Sequence, residues 1–190
     1  AAGIACAAFK KLLPYVKAGA TETTLAARLE FLMKEAGAER IAFETIVASG
    51  KNGAMPHGKP TSKKIAKGEL ITFDFGTVYR GYCSDITRTI AFGKPSAKLR
   101  EIYETVRAAQ ELGCKAARAG MTGADLDAVC RNYIAKKGFG KYFLHSTGHG
   151  LGMEVHELPS VSSANKNPLP AGAVVTCEPG IYIPGIGGAR

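Results

Sequence analysis

The sequence predicts an α+β fold in which two pseudo-symmetric halves each run helix, helix, strand, loop and hairpin. Three observations predict it. Apolar residues recur at helical spacing in two separate blocks, within residues 1–37 and within residues 95–137. Runs rich in β-branched and aromatic residues, bounded by glycine, follow each block. The chain also aligns with itself. Ala18, Gly19, Thr21, Leu25, Ala27 and Gly37 recur as Ala119, Gly120, Thr122, Leu126, Ala128 and Gly138 at a constant offset of 101 residues, and GELITFDFG at 68–76 matches GAVVTCEPG at 172–180 at an offset of 104. The drift of three residues is one loop's worth of insertion.

In chain order, residues 1–17 read as a helix with Ile4, Phe9, Leu12, Leu13 and Val16 on its apolar stripe, kinked or stopped early by Pro14. Thr21 caps a second helix whose stripe is Leu25, Leu29, Leu32, Met33 and Ala36, and Gly37 ends it. Phe43 to Ser49 reads as a strand, and the loop GKNGAMPHGKPTS after it carries His57. Leu70 to Thr89 reads as a hairpin turning at Arg80-Gly81, with Tyr79 facing Tyr82 and Asp85 opposite Gly76. After Pro95 a long helix runs to about Arg118, with Leu99, Ile102, Tyr103, Val106, Ala109 and Ala116 inward, and a shorter one spans Thr122 to Lys137. The last third is strand and loop. The halves are about 1–94 and 95–190 of one catalytic domain.

The totals bound the function. A chain of 190 residues supports one substantial core. The formal charge of +9 is spread over scattered lysines, with short clusters at Lys10-Lys11, Lys63-Lys64 and Lys136-Lys137, which reads as a solvated basic surface and not a nucleic-acid site. No apolar run reaches the roughly 18 residues of a membrane span. Five cysteines with no paired spacing suit reduced thiols and a cytoplasmic setting. A start at AAGIACAAF and a stop at GIGGAR read as a fragment.

Two aspartates in the apolar hairpin need a reason. With the expected register Asp74 and Asp85 lie diagonal on one face, about 5–8 Å apart, and their repulsion is relieved most simply by a divalent cation. The stretch LHSTGHGLGMEVHELP at 144–159 adds His145, His149 and His156 among glycines that let backbone approach a ligand. Glu178 falls at the repeat position of Asp74. Asp74, Asp85, His149 and Glu178 therefore make a mixed oxygen and nitrogen set suited to Mn²⁺, Co²⁺, Fe²⁺ or Zn²⁺. A carboxylate bridging two ions is the usual way two-metal hydrolases turn water into a nucleophile. His57, His145 and His156 then serve the substrate, and sequence does not rank them.

The segments SGKNGAMPH, FDFGTVYRGYCSDITRT, HSTGHGLGMEVHE and CEPGIYIPGIGGAR, in order, resemble the motifs of the pita-bread metallopeptidases, above all the Xaa-Pro aminopeptidases and Xaa-Pro dipeptidases (prolidases). The resemblance covers almost the whole chain. It implies a curved antiparallel sheet covered by helices, and hydrolysis of the bond between an N-terminal residue and proline. It implies that Asp74, Asp85, His149 and Glu178 hold two divalent ions, Mn or Co before Zn or Fe, with Glu178 also the general base. It implies that His57, His145 and His156 line the substrate site, that Arg190 belongs to the network behind the metals, and that a homodimer forms.

Methionine aminopeptidases share that fold, but their loop usually contains Cys-His-Gly where this chain has Met55-Pro56-His57. A non-catalytic binding module for protein or RNA, and a metal-free amidinohydrolase such as a creatinase, are the other readings, and the intact carboxylates argue against both. The family's fifth ligand is a glutamate two residues beyond the arginine that Arg190 matches, and the repeat likewise puts the partner of Asp85 at or past the last residue. The closing strands and the N-terminal domain of proline-specific members are absent as well. The expectation is a metal-poor, weakly active or inactive fragment.

Overall fold

The helices form where the apolar stripes and caps require them. A computed structural model describes residues 1–190. Helix α1 (Ala2–Leu12) buries Ala5, Ala8, Phe9 and Leu12 and stops before Pro14, continuing only as a 3-10 turn over Leu13–Tyr15. Helix α2 (Glu22–Glu35) starts at Thr21, whose hydroxyl accepts from Thr24 N while the Thr24 hydroxyl takes the Thr21 N–H, a reciprocal capping box. Leu13 and Ala36, expected inward, face solvent instead. Both lie past the last full helical turn, where the stripe no longer points at the core.

The first half packs its helices on a sheet. Strand β1 (Arg40–Ile41) precedes β2 (Ile46–Ser49), so the strand expected from Phe43 begins only at Ile46. Strand β3 (Glu69–Phe75) is central, paired antiparallel to β2 and, beyond β4 (Thr77–Tyr79) and β5 (Tyr82–Cys83), to β6 (Ile86–Phe92). Tyr79 faces Tyr82 as expected. Arg80 and Gly81 both take positive φ, +52° and +77°, the backbone a two-residue turn between right-twisted strands needs. The hairpin is not one ladder, however. At Gly76 it breaks, and β4 leaves β3's sheet to pair with β1. Alternation along β3 sends Ile71, Phe73 and Phe75 into the α1–α2 core, where Phe9 stacks on Phe75 and meets Phe73 edge-on, and turns Thr72 and Asp74 the other way.

The second half repeats the plan. Helix α3 (Ala97–Ala116) is capped by Ser96, and α4 (Gly123–Lys136) is as long as α2 and has its own capping box between Thr122 and Asp125. Strand β7 (Gly148–Gly150) pairs with β8 (Glu157–Val161), and β9 (Ile181–Ile183) with β10 (Gly187–Ala189). A second core joins α3 and α4 to Leu70, Ile181, Ile183 and Ala189. Residues 174–178 run antiparallel beside β7 through the bonds Leu151 N to Val174 O, Thr176 N to His149 O and Glu178 N to Thr147 O. Glu178 thus stands to Thr147 as Asp74 stands to Ile46, the same two offsets read from the sequence. That places the two acidic residues at equivalent points of the two halves.

Candidate metal centre

Each acidic or imidazole group reaches the centre from a different element. Asp74 projects from the inner face of β3, Asp85 from the link between β5 and β6, His149 from the middle of β7, and Glu178 from the segment beside it. Glycines flank His149 because backbone passes close on both sides. A Cβ on Gly148 would collide with Thr176 O, and one on Gly150 with the carbonyls of Glu157 and Leu158.

His149 is the hub. Its Nε2 lies 3.1 Å from Glu178 Oε1 and 3.4 Å from Asp85 Oδ2, while Nδ1 contacts Gly150 O at 3.0 Å. Nδ1–H donates to that carbonyl, so Nε2 is the nitrogen that faces the carboxylates: protonated it donates to them, and without its proton it presents the lone pair a ligand histidine needs. Burial alone would lower the imidazole pKa, but Asp85 and Glu178 hold it up at about 10. Glu178 is desolvated too, yet His149, Arg190 and the Thr176 hydroxyl (2.8 Å to Oε1) keep its carboxyl below the ordinary range.

Asp74 is held differently. Its Oδ2 pairs with Arg190 Nη2, and its Oδ1 accepts from Thr87 Oγ1 at 3.0 Å. The two side chains are only 10% and 3% exposed, so the pair is desolvated. Burial, with the nearby charges of Asp85 and Glu178, pushes the Asp74 carboxyl up to about 6 in spite of Arg190. Arg190 also donates to Thr87 Oγ1 at 3.0 Å and Pro56 O at 3.1 Å, and its Nε lies 3.6 Å from Glu178 Oε2.

The other histidines separate by role. His156 approaches His149, ring centroids 4.2 Å apart, and donor atoms of Asp85, His149 and His156 all lie within 4.8 Å of one another. The sequence reading assigns His156 to substrate, whereas the fold brings it within ligand reach. His145 stands apart from His149, its Nε2 2.8 Å from the Tyr182 hydroxyl and its Nδ1 2.7 Å from Ser146 O, and burial lowers its pKa. Their four-residue spacing is therefore no shared helical face. His57 is exposed on the rim of a cleft of about 500 Å³ that Asp74, Asp85, His145, His149 and Glu178 also line. The one buried side-chain polar atom without a partner, Thr45 Oγ1, belongs to a residue of the same wall.

Sequence reasoning missed Tyr182, Thr87 and Thr176. The Tyr182 hydroxyl links His145 to Arg190 Nη1, 3.5 Å away, and burial pushes its pKa up to about 12. Thr87 lies two residues past Asp85, so strand alternation could have placed it on the site face. The same alternation marks Thr176, two residues before Glu178, and nothing local marks Tyr182.

The donor set fits a divalent cation. Three buried or half-buried carboxylates face one guanidinium and the protonated hub imidazole, which leaves one negative charge over in low dielectric, and a cation that displaced the His149 proton would find a nitrogen and carboxylate oxygens together.

The family model Peptidase_M24, described as metallopeptidase family M24, matches residues 1–190. The "Uncharacterized peptidase YqhT" of Bacillus subtilis is 53% identical over 190 residues, all of this chain and 54% of that protein. A Pyrococcus horikoshii protein named Xaa-Pro dipeptidase is 51% identical over 172 residues, 90% of this chain and 49% of its own. Among solved structures, an Xaa-Pro dipeptidase from Bacillus anthracis superposes with TM-score 0.98 at 52% identity, covering 100% of this chain and 54% of that one. An X-Pro aminopeptidase from Thermotoga maritima gives TM-score 0.96 at 48% identity, covering 99% and 53%. The fold is the pita-bread fold of these prolidases. The chain spans about half the length of the curated relatives it matches.

Proposed function

The chain belongs to metallopeptidase family M24, and from that premise we propose that the full-length protein hydrolyses the peptide bond between an N-terminal residue and proline. Asp74, Asp85, His149 and Glu178 are the proposed ligands of two divalent ions, Mn²⁺ or Co²⁺ first. Such ions, when bound, polarise a carbonyl and lower the pKa of water. The observation that carries this reading is the convergence of Asp85 and Glu178 on His149 Nε2, with Nδ1 secured on Gly150 O.

Around that centre the chain's own groups divide the work. Glu178, kept ionised by His149, Arg190 and Thr176, is the proposed general base, its Oε1 receiving a proton. Arg190 orients Asp74 and neutralises part of its charge. His57 and His156, at the open side of the cleft, bind the peptide, and His145, backed by Tyr182, forms its inner wall. The unpartnered Thr45 hydroxyl is left for a polar atom of the bound peptide. The remaining proposals are a homodimer in a cytoplasmic setting, with no nucleic-acid partner. No helix is long and apolar enough to cross a membrane.

The test is an assay of the full-length protein with Mn²⁺ or Co²⁺ on Ala-Pro and on a longer peptide with proline second. Cleavage of the Xaa-Pro bond is expected, and a protein that binds the ion yet leaves both peptides intact would refute the reading. Asp85→Ala abolishes activity and ion binding. His156→Ala lowers turnover with the ion retained, whereas ion loss in that variant would move His156 into the ligand set.

A further inference from the structure

Gly113 sits inside α3, where glycine is the poorest helix former after proline. Its neighbours explain it. A Cβ there would stand 2.6 Å from Cys130 Sγ and 2.7 Å from Cys177 Sγ, so the two sulfurs crowd one point, facing each other across the missing side chain. Cys130 comes from α4 and is fully buried, its Sγ 3.3 Å from Ala109 O. Cys177 is half-buried and opens, together with Glu178, Gln110 and Arg107, onto a second cleft of about 520 Å³. The cleft gives a small solute access to one sulfur, and the second waits behind it.

We propose that Cys130 and Cys177 form a dithiol that peroxide converts to a disulfide, tying the Thr176–Glu178 segment to α4 and weakening cation binding at the centre. The last part rests on the metal reading above. Cys177 is the sulfur a solute can reach, and because Cys130 and burial hold its thiol above the ordinary cysteine pKa its attack on peroxide is slow; the O–O bond breaks, water is released and a sulfenic acid is left. The Cys130 sulfur then attacks it, the S–S bond forms and a second water leaves. In sum two thiols lose two hydrogens and one peroxide is reduced to two waters. Closing the sulfurs to a bond of about 2.05 Å moves Cys177 toward α4. Glu178 follows in the chain, and its N–H to Thr147 O bond and Thr176 contact both lie in the segment that shifts.

The full-length protein, with Cys130→Ala, Cys177→Ala and Cys114→Ala variants, would be treated with hydrogen peroxide, digested without reductant and mapped by mass. Co²⁺ affinity would be titrated before and after. Wild type and the Cys114→Ala variant should yield one peptide pair joined through 130 and 177, lighter by two hydrogens and restored by dithiothreitol, and the other two variants should not. Oxidation should weaken Co²⁺ binding about tenfold or more in wild type, the range seen when groups behind a ligand are disturbed, and not in Cys130→Ala. No 130–177 bridge, a bridge to Cys114 instead, or a bridge with unchanged Co²⁺ affinity would overturn the proposal. Reduced protein that binds no Co²⁺ would count against the metal reading, and the peptide map would still decide the dithiol.

Discussion

Two buried carboxylates, Glu22 near the start of α2 and Asp127 near the start of α4, each fasten a histidine-bearing loop to a helix, with different partners. Glu22 accepts only from neutral donors: Ser49 N and Oγ at 2.7 and 2.8 Å, Asn52 Nδ2, and Thr61 N and Oγ1 at 3.1 and 2.7 Å. Asp127 takes a two-pronged pair from Arg131, at 2.7 and 3.0 Å, plus Thr147 N and Oγ1 at 2.9 Å. Arg131 passes the linkage on to the carbonyls of Phe143 and His145. The difference tracks what each loop presents. Glu22 grips the two ends of the His57 loop and leaves His57 itself exposed, whereas Asp127 grips two residues from the hub His149. In the proposed roles, a loop that offers His57 to an incoming peptide tolerates such slack, and one that aims the proposed ligand nitrogen of His149 does not.

The comparison breaks most visibly on removal of either anchor. Glu22→Ala strands several buried donors at once and should cost about 3–5 kcal/mol, read as a fall in the urea midpoint. A loss under about 1 kcal/mol would mean that water replaces the carboxylate and that no anchor exists there. Asp127→Asn, which keeps one acceptor but unbalances Arg131, should cost about 2–3 kcal/mol. It should also weaken Co²⁺ binding about tenfold, because the His149 strand loses its tether. Glu22→Gln should leave Co²⁺ affinity within about twofold of wild type, its loop carrying no proposed ligand. Equal effects of the two variants on Co²⁺ would erase the distinction.

A smaller effect comes from acid. Burial raises the Asp127 carboxyl, but the Arg131 and Thr147 hydrogen bonds more than offset this and hold its pKa below the ordinary value. A folded pKa below the unfolded one means that the unfolded chain takes up the proton first as pH falls. The stabilisation is whole above the usual aspartate pKa of about 4 and is lost as pH drops below it through the folded value. The gap in urea midpoint between wild type and Asp127→Asn should therefore narrow from about pH 6 to about pH 3. A constant gap would contradict it. Smallest are the helix caps. Thr21→Ala and Thr122→Ala should each cost about 1 kcal/mol. Asp125→Asn, at the third position of α4 where α2 has the neutral Thr24, should lower Tm slightly by an amount that salt removes, and a salt-independent difference would point elsewhere.

Much of the fold was legible because it rests on local physics. Thr21 and Thr122 as caps, the stop at Pro14 and the Arg80-Gly81 turn follow from hydrogen-bond geometry and allowed backbone angles within four residues. The break of the hairpin at Gly76 was not legible, since it depends on β1 competing for β4 across the sheet. The site was legible in its parts, since a carboxylate in an apolar strand is costly wherever it occurs, and Asp74 and Glu178 share a repeat position. Their division was not. Tyr182 mirrors Val78 in the repeat, so the register marks nothing polar there, and Gly113 reads as an ordinary flaw in a helix until two sulfurs are found beside it.

By itself the sequence determined the elements, their caps and turns, and the equivalence of the two halves, because periodicity and backbone stereochemistry act over a few residues. Only the tertiary structure decided that His156 comes within ligand reach of Asp85 and His149, that Arg190 grips Asp74, and that Cys130 faces Cys177. Those contacts join residues far apart in the chain. Their distances are set by how the two main hydrophobic cores seat their helices against the strands of both halves, and no local rule contains that.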